Sequence, residues 1–251
     1  MAEELAGASG WQYTSLATDR FVLAAWVAPA PGSGLLTIFI EGDGFAWANR
    51  RRPSSNPTPR DPVGLKLALA HSGSNVAYLA RPCQYVMPVE QRGCTRAVWT
   101  HERFSEAVIE ATDQAVSMLK ADQRAQRLIL VGYSGGGAVA ALVTARRTDV
   151  VRLVTLASPL DHEQWTRAKH LSPLTGSLNP ADVWAELIDV PQIHYVGSTD
   201  KVVDGSSAES FRARFPEQQH ILIERIEGFD HHCCWIEAWP SLAASWARPT
   251  R

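Results

Sequence analysis

The sequence contains no apolar run of the roughly 20 residues that a helix needs to cross a bilayer. Its longest apolar run, Phe21–Ala28, has the length of a buried strand. Neither sign of charge is in large excess, because the formal net charge is −2. Such a balance gives no field that would attract the backbone of a nucleic acid. The chain opens at Met1 without the basic and apolar segments of a signal peptide. We therefore expect no membrane span, no nucleic-acid partner and no signal peptide within this sequence.

Cysteine is scarce as well, with four residues in the chain. Cys83 and Cys94 flank a loop of ten residues and could close it as a disulfide. A bond between the adjacent Cys233 and Cys234 is geometrically awkward, so we expect these two to be free or paired elsewhere, and no pairing is excluded. The contiguous residues His231–Cys234 cannot surround one tetrahedral ion, so no metal site is expected. The cysteines favour an oxidising compartment, and therefore export to the periplasm or the medium over a cytoplasmic location.

Hydrophobic runs of strand length alternate with segments of helical periodicity along the chain. This alternation favours an α/β fold with a mostly parallel eight-stranded sheet, helices on both faces and an antiparallel hairpin of the first two strands at one edge. The predicted strands are Trp11–Ala17, Arg20–Ala28, Leu35–Glu41, Asn75–Ala80, Leu128–Tyr133, Val151–Ala157, Gln192–Gly197 and His220–Ile226. The predicted helices are Phe104–Lys120, Ala181–Leu187 with Asn179 as its N-cap, Ser206–Arg214 and Trp235–Ala247.

We predict a single domain over residues 1–251, because no stretch reads as a linker. The run Arg50-Arg51-Arg52 is followed by prolines and is typical of a solvated loop rather than a recognition surface. It opens the segment Arg50–Pro62, which predicts a loop near the mouth of the site. The segment 158–178 is predicted to be irregular and could form a short cap or flap over a substrate.

The candidate nucleophile follows the strand Leu128–Tyr133, at the edge of the sheet where ligands bind in folds of this kind. Here Gly132–Gly136 forms a G-x-S-x-G pentapeptide with Ser134 at its centre. Such a sequence is typical of a sharp strand-to-helix turn, which exposes the serine hydroxyl and needs small residues because the strand and the helix nearly touch. The pattern predicts that Ser134 is the nucleophile of a hydrolase.

A dinucleotide site is the competing interpretation of the same segment. Gly135, Gly137 and Ala140 satisfy G-x-G-x-x-A, which could hold a pyrophosphate at the start of a helix. That motif usually follows the first strand, whereas here about 130 residues precede it. The acid expected after the next strand is also missing, because that strand ends in Ala157-Ser158-Pro159. The sequence therefore favours the hydrolase, for which no cofactor is expected.

A serine nucleophile needs an acid and a base, delivered by the ends of later strands. Asp200 lies in the exit turn of the seventh predicted strand, with Asp204 and then Asp161 as weaker candidates. His231 and His232 follow the last predicted strand, and their spacing does not distinguish them. The chain order of serine, aspartate and histidine is the one that the nucleophile motif requires.

Acyl transfer also needs two backbone N–H groups directed at the developing oxyanion. We predict that Gly135 supplies one and that Asp43, with Gly44 as the next candidate, supplies the other from a loop rich in glycine. The carboxylate of Asp43 is expected to point away from the oxyanion, which it would repel. Gly44, Trp47 and Tyr133 are predicted to contact the substrate.

With these residues in place, the chain resembles the α/β-hydrolase superfamily across nearly its whole length. Four motifs carry a narrower resemblance: E-G-D-G-x-A-W at Glu41–Trp47, A-R-P-C-Q at Ala80–Gln84, G-Y-S-G-G-G at Gly132–Gly137 and D-H-x-C-C-W at Asp230–Trp235. They are similar to motifs of a group of bacterial hydrolases, many of them exported or lipid-anchored, in which the fixed histidine of the last motif corresponds to His231. Glu41 departs from the superfamily, in which a histidine usually opens the oxyanion loop.

The expected activity is hydrolysis of a carboxylic ester through an acyl-enzyme, with a small-molecule or polymeric ester as substrate. A catalytically silent binding protein on the same scaffold is the alternative from another class, because a fold does not guarantee an activity.

Overall fold

The computed structural model describes residues 1–29, 34–49, 51–217 and 220–246. Arg50 and Ala247, which belong to two predicted segments, lie outside the described residues. All eight predicted strands are present, with ends that differ from the prediction by at most two residues. They are β1 (Gln12–Ala17), β2 (Val22–Val27), β3 (Leu35–Ile40), β6 (Val76–Leu79), β7 (Arg127–Tyr133), β8 (Val150–Leu156), β9 (Gln192–Gly197) and β10 (Ile221–Ile226); a separate pair consists of β4 (Trp47–Asn49) and β5 (Arg52–Pro53).

The eight strands form one sheet in the order β1-β2-β6-β3-β7-β8-β9-β10. β1 and β2 form the predicted antiparallel hairpin at one edge, and β2 is also antiparallel to β6. Every other neighbouring pair is parallel, so the sheet is mostly parallel, as predicted. The carboxyl ends of β3, β7, β9 and β10 consequently open on the same side of the molecule, which is where the predicted site residues follow.

The helices cover both faces of the sheet. Successive residues of a strand point to opposite faces, so Ile38 belongs to the apolar core on one side and Phe39 to the core on the other. The helices are α1 (Ala2–Ala8), α2 (Val63–Ala70), α3 (Glu106–Asp122), α4 (Gly135–Thr144), α5 (His162–Ala168), α6 (Ser206–Arg212) and α7 (Trp235–Trp246). The first core is covered by α3, α4 and α6, and the second by α1, α2 and α7.

Three local predictions were wrong in part. Ala181–Leu187 is not one α-helix but two short 3₁₀ turns, Pro180–Val183 and Ala185–Leu187. Asn179 does not cap them, because its amide oxygen accepts from His162 N at 3.0 Å and its amide nitrogen donates to Asp161 Oδ1 at 3.2 Å.

The other two corrections concern segments predicted to be irregular. Segment 158–178 contains α5, whose first turn is capped by the Asp161 carboxylate. The loop Arg50–Pro62 contains β5, which pairs with β4 in a small hairpin. That hairpin places Trp47 and Arg52 beside the mouth of the site rather than leaving a wholly irregular loop.

Both pairs of cysteines are joined in disulfides. Cys83 and Cys94 are bonded, as the spacing allowed, with their Cα atoms 5.7 Å apart. The expectation that Cys233 and Cys234 are free or paired elsewhere was wrong, because these neighbours are bonded to each other. They lie in the turn between β10 and α7, where Cys234 takes a positive φ of 79° and the backbone turns tightly enough to bring the two sulfurs together.

None of the described helices combines the length and the apolar character needed for a membrane crossing.

Candidate active site

Ser134 occupies the sharp turn between β7 and α4. Its φ of 52° and ψ of −127° are unfavourable for a residue with a side chain, at a cost of about 1–3 kcal/mol. The surrounding glycines make this turn possible: a Cβ atom on Gly132 would collide with the backbone of Gly136 and Gly137. The predicted close approach of strand and helix is therefore present, and it leaves the Ser134 side chain only partly buried.

The structure brings the three predicted triad residues together. Ser134 Oγ lies 3.0 Å from His231 Nε2, and His231 Nδ1 lies 2.8 Å from Asp200 Oδ2. Asp200 follows β9 and is 5% exposed, while His231 follows β10 and is 7% exposed. The second oxygen of Asp200 accepts hydrogen bonds from Val202 N at 2.7 Å and Val203 N at 2.9 Å. These contacts leave Asp200 Oδ2 directed at the imidazole.

The weaker acid candidates do not reach the imidazole. Asp204 is paired with Lys169 at 2.6 Å and also accepts from Ser206. Asp161 caps α5 and accepts from Ser210 at 2.7 Å. Both carboxylates hold neighbouring segments instead.

Tyr133 fixes the loop that carries the two histidines. Its hydroxyl donates to the carbonyl oxygen of His231 at 2.7 Å and lies 3.5 Å from His232 Nδ1. Burial raises the pKa of Tyr133, and the carboxylates of Glu41 and Asp200 raise it further, so the hydroxyl stays protonated as a donor. The sequence predicted Tyr133 as a substrate contact but did not reveal this bond, whose partners are 98 positions apart.

Asp43 lies on the loop after β3, beside the start of α4. Its carboxylate is held by Arg81 Nη1 at 3.3 Å and by Arg103 Nη1 at 2.5 Å. The side chains of Arg81 and Arg103 are buried, and Arg81 also donates to the carbonyl oxygen of Arg103. Burial raises the pKa of Asp43, but the charges of Arg103 and Arg81 outweigh it and keep this pKa below its ordinary value.

The position and the charge of the Asp43 carboxylate matter for the predicted oxyanion hole, from which this carboxylate is expected to point away. The carboxylate lies against Gly135, where an added Cβ atom would strike it. Its charge is nevertheless compensated by Arg81 and Arg103, so the cluster as a whole carries a net positive charge. The N–H of Gly135 opens α4, where the first N–H groups have no partner within the helix.

Glu41 is the first residue of the loop after β3, and its contacts explain its presence there. Its buried carboxylate accepts from Gly42 N at 2.9 Å, Gly64 N at 3.1 Å and the Tyr78 hydroxyl at 3.0 Å. Burial raises the pKa of Glu41, while these hydrogen bonds lower it in part. Because Gly64 lies in the first turn of α2, Glu41 ties the loop after β3 to that helix. The sequence contained no local signal for this contact, which spans 23 positions.

One cavity of about 400 Å³ is lined by Ser134, His231 and Asp43, among other residues. Gly44, with a φ of +62°, and Trp47, which is 42% exposed, form part of its wall together with Tyr133. Segment 158–178 contributes Pro159 and Trp165, and the indole of Trp165 donates to Val202 O at 2.7 Å. The three predicted substrate contacts, Gly44, Trp47 and Tyr133, therefore lie at the cavity that contains Ser134. The cap function of segment 158–178 and the single-domain organisation stay predictions.

The glycines of the competing dinucleotide motif do not form an exposed loop that could hold a pyrophosphate. Gly135 and Gly137 belong to α4 and are buried, and a Cβ on Gly137 would meet Ser158 and Thr155. Among the described residues, no group of three or more His, Cys, Asp or Glu side chains could hold a metal ion.

No protein-family model and no curated protein matches the sequence. Solved structures are nevertheless similar to it in fold. A serine hydrolase without a lid from Xanthomonas campestris aligns with a TM-score of 0.60 and 14% identity over 96% of both chains. An esterase from Pyrococcus furiosus aligns with a TM-score of 0.66 and 14% identity over 98% of this chain and 92% of its own. A serine hydrolase homologue from Coxiella burnetii gives a TM-score of 0.62 and 14% identity over 96% and 97%.

These similarities confirm the predicted fold class: the chain has the α/β-hydrolase fold, and the structures it resembles are α/β serine hydrolases that include both esterases and peptidases.

Proposed function

We propose that the protein is a serine hydrolase that cleaves a carboxylic ester through an acyl-enzyme. The observation that carries the proposal is the chain of contacts from Ser134 Oγ through His231 to Asp200, with distances of 3.0 and 2.8 Å, at the wall of an open cavity. A histidine and an aspartate that merely occupied surface turns would not be expected to align with a strained, partly exposed serine. Together they have the geometry that nucleophilic catalysis requires.

In the proposed reaction, Ser134 Oγ attacks the carbonyl carbon of the ester while its proton passes to His231 Nε2. Asp200 accepts the hydrogen bond from His231 Nδ1, which fixes the tautomer and stabilises the imidazolium. The tetrahedral intermediate collapses, the C–O bond to the alcohol breaks, and His231 returns the proton to the leaving oxygen. Water then attacks the acyl-enzyme with His231 as base, releasing the acid and restoring Ser134.

The oxyanion is proposed to receive hydrogen bonds from the backbone N–H groups of Gly135 and Asp43. Two such donors lower the barrier most when they are fixed in place before the reaction, because no reorganisation is then needed. The start of α4 fixes Gly135, and the ion pairs to Arg81 and Arg103 fix Asp43.

Carboxylic esters are the proposed substrate class, either as small molecules or as groups on a polymer. The cavity volume of about 400 Å³ is within the ordinary range for small-molecule sites. The similar protein from Pyrococcus furiosus is an esterase, which supports this class.

Labelling with a fluorophosphonate probe and turnover of 4-nitrophenyl butyrate test the proposal. The wild type is expected to be labelled and active, whereas Ser134→Ala is expected to lose labelling and at least about a thousandfold in kcat/KM without a change in the melting temperature. Ser117→Ala, which removes an exposed serine on α3, is the matched control and should retain both. Absence of labelling and turnover in the wild type would instead indicate a binding protein, and labelling of Ser134→Ala would place the nucleophile elsewhere.

A further inference from the structure

A second groove, of about 440 Å³, adjoins the candidate active cavity. Phe45 and Arg60 line both depressions, so the groove lies directly beside the cavity that contains Ser134. The rest of the groove is formed by the β4–β5 hairpin and by the segment after the Cys83–Cys94 loop. Its other lining residues are Ala48, Arg52, Pro53, Ser54, Ser55 and Arg96.

The charge of this groove has one sign. Three guanidinium groups, those of Arg52, Arg60 and Arg96, line it, and no carboxylate does. None of the three forms an ion pair with a carboxylate of the described residues, although elsewhere in the chain arginines such as Arg146 and Arg147 do so. Three like charges around one groove repel each other, and an anion between them would remove that cost. The net charge of the whole chain is −2, so the cationic character is local.

The three arginines come from separate segments that are held in place. Arg60 lies with its Cζ 3.7 Å from the centre of the Phe45 ring, a cation–π contact that limits the positions of the guanidinium. Arg52 lies in β5, and its backbone N–H donates to Asn49 Oδ1 at 3.0 Å within the turn of the hairpin. Arg96 opens a 3₁₀ turn two residues after Cys94, which the disulfide ties to Cys83.

We infer that this groove, defined by Arg52, Arg60 and Arg96, binds a carboxylate or phosphate group on the substrate, so that the hydrolase prefers anionic esters. The inference rests on the proposed function and names the substrate class of the same site. Guanidinium groups present paired N–H donors that match the oxygens of carboxylate and phosphate, and such charge-assisted bonds are the stronger class of hydrogen bond. The sequence alone indicates a solvated loop for Arg51 and Arg52, because the partner arginines lie too far along the chain for their convergence to be predicted.

Two pairs of esters, each pair differing by one charge, test the inference on either side of the scissile bond. The acyl-side pair is 4-nitrophenyl hydrogen adipate and the same ester with a terminal carboxamide. The alcohol-side pair is 4-carboxyphenyl butyrate and 4-carbamoylphenyl butyrate. The measured quantity is the ratio of kcat/KM for the charged ester to that for its neutral partner, so that intrinsic reactivity cancels when variants are compared.

In at least one pair, Arg60→Gln and Arg96→Gln are each expected to lower this ratio about three- to tenfold at low ionic strength, as is expected for partly exposed charge-assisted contacts. Added salt should lower the wild-type ratio as well, because screening weakens exposed charges. Arg127→Gln is the matched control, since Arg127 is exposed at the opposite end of β7 from Ser134. Unchanged ratios in both pairs for Arg60→Gln and Arg96→Gln, or an equal fall for Arg127→Gln, would overturn the inference.

Calorimetric titration with adipate distinguishes failure of this inference from failure of the proposed function. The titration compares the variant Ser134→Ala with the double variant that carries both Ser134→Ala and Arg96→Gln. If no ester is hydrolysed but adipate binds and Arg96→Gln weakens that binding about three- to tenfold, the anion site stands and the hydrolase proposal falls. If esters are hydrolysed while adipate binding and the charge ratios are insensitive to Arg96→Gln, the hydrolase proposal stands and the anion site falls.

Discussion

Among single residues, His231 and His232 offer the sharpest contrast, since they are neighbours of the same chemical type. His231 is buried between Ser134 and Asp200, and each of its ring nitrogens has one of these partners. His232 is exposed, and its Nδ1 lies 3.5 Å from the Tyr133 hydroxyl. The two substitutions to alanine should therefore differ widely in their effect on turnover.

We expect His231→Ala to lower kcat by about 10³-fold or more, because the proton of Ser134 then has no acceptor. His232→Ala should change kcat less than about tenfold, because it removes only a contact at the cavity wall. Steady-state kinetics with 4-nitrophenyl butyrate, with circular dichroism to verify folding, measures both. The opposite ranking would mean that the wrong imidazole has been assigned as the base.

Site residues that follow a strand could be predicted from the sequence, whereas residues that reach the site from distant segments of the chain could not. Ser134, Asp200 and His231 each follow a recognisable apolar strand, and parallel strands bring their carboxyl ends to one edge. Arg81 and Arg103 lie 38 and 60 positions from Asp43, and nothing local indicates that they share one carboxylate.

Among the elements, the loop after β3 depends most on distant contacts. Arg103, shortly before α3, holds this loop through Asp43, and its own Nε donates to Thr100 O at 2.5 Å. A fixed loop matters more in the transition state than in substrate binding, because the oxyanion forms only as the reaction proceeds. Arg103 also lines the cavity, and it is proposed as a positioning residue that acts through Asp43.

Arg103→Gln is expected to lower kcat about tenfold, with a smaller change in KM, and to lower the free energy of unfolding by about 3 kcal/mol because one partner of a buried ion pair is lost. Arg146→Gln is the matched control: it breaks an exposed pair with Glu106 and should cost about 1 kcal/mol or less. Separate kcat and KM values and urea denaturation give the result. A loss of stability with unchanged kcat would leave Arg103 with a purely structural role.

Elements stabilised by distant partners were also the ones that the sequence did not predict well. The first turn of α2 is bound by the Glu41 carboxylate, 23 positions earlier in the chain, rather than by an N-cap of its own. Segment 180–187 has a helix-start signal, but the Asn179 side chain is occupied by Asp161 and His162, and 3₁₀ turns form instead. Tertiary contacts decided these elements, whereas the buried strands were decided by their own apolar runs.

For the molecule as a whole, a cluster of ion pairs lies at the end of the sheet opposite the candidate active site. The candidate active site lies where β3, β7, β9 and β10 end, while Asp149 lies just before β8 begins. Asp149 is bound to Lys120 of α3 at 2.5 Å and to Arg147, just after α4, at 2.7 and 2.8 Å. Arg147 also pairs with Asp113 of α3 at 2.6 Å. These ion pairs join two helices to the sheet without touching the cavity.

Asp149→Asn should therefore lower global stability but leave kcat unchanged at pH 7. Burial raises the pKa of Asp149, but the hydrogen bonds and charges of Arg147 and Lys120 outweigh it and lower this pKa to about 2. A depressed pKa stabilises the folded state above the unfolded pKa of about 3.9, and this stabilisation is lost as the pH falls toward 2.

The free energy of unfolding of the wild type is accordingly expected to exceed that of Asp149→Asn by about 1–2 kcal/mol at pH 7, after allowance for solvent screening. This difference should shrink steadily below a pH of about 4. Urea denaturation from pH 7 to pH 3 measures it. Asp189→Asn, at an exposed position without an ion pair among the described residues, is the control and should show a small difference at every pH. A gap between wild type and Asp149→Asn that stays constant down to pH 3 would mean that the carboxylate charge is not what holds these helices to the sheet.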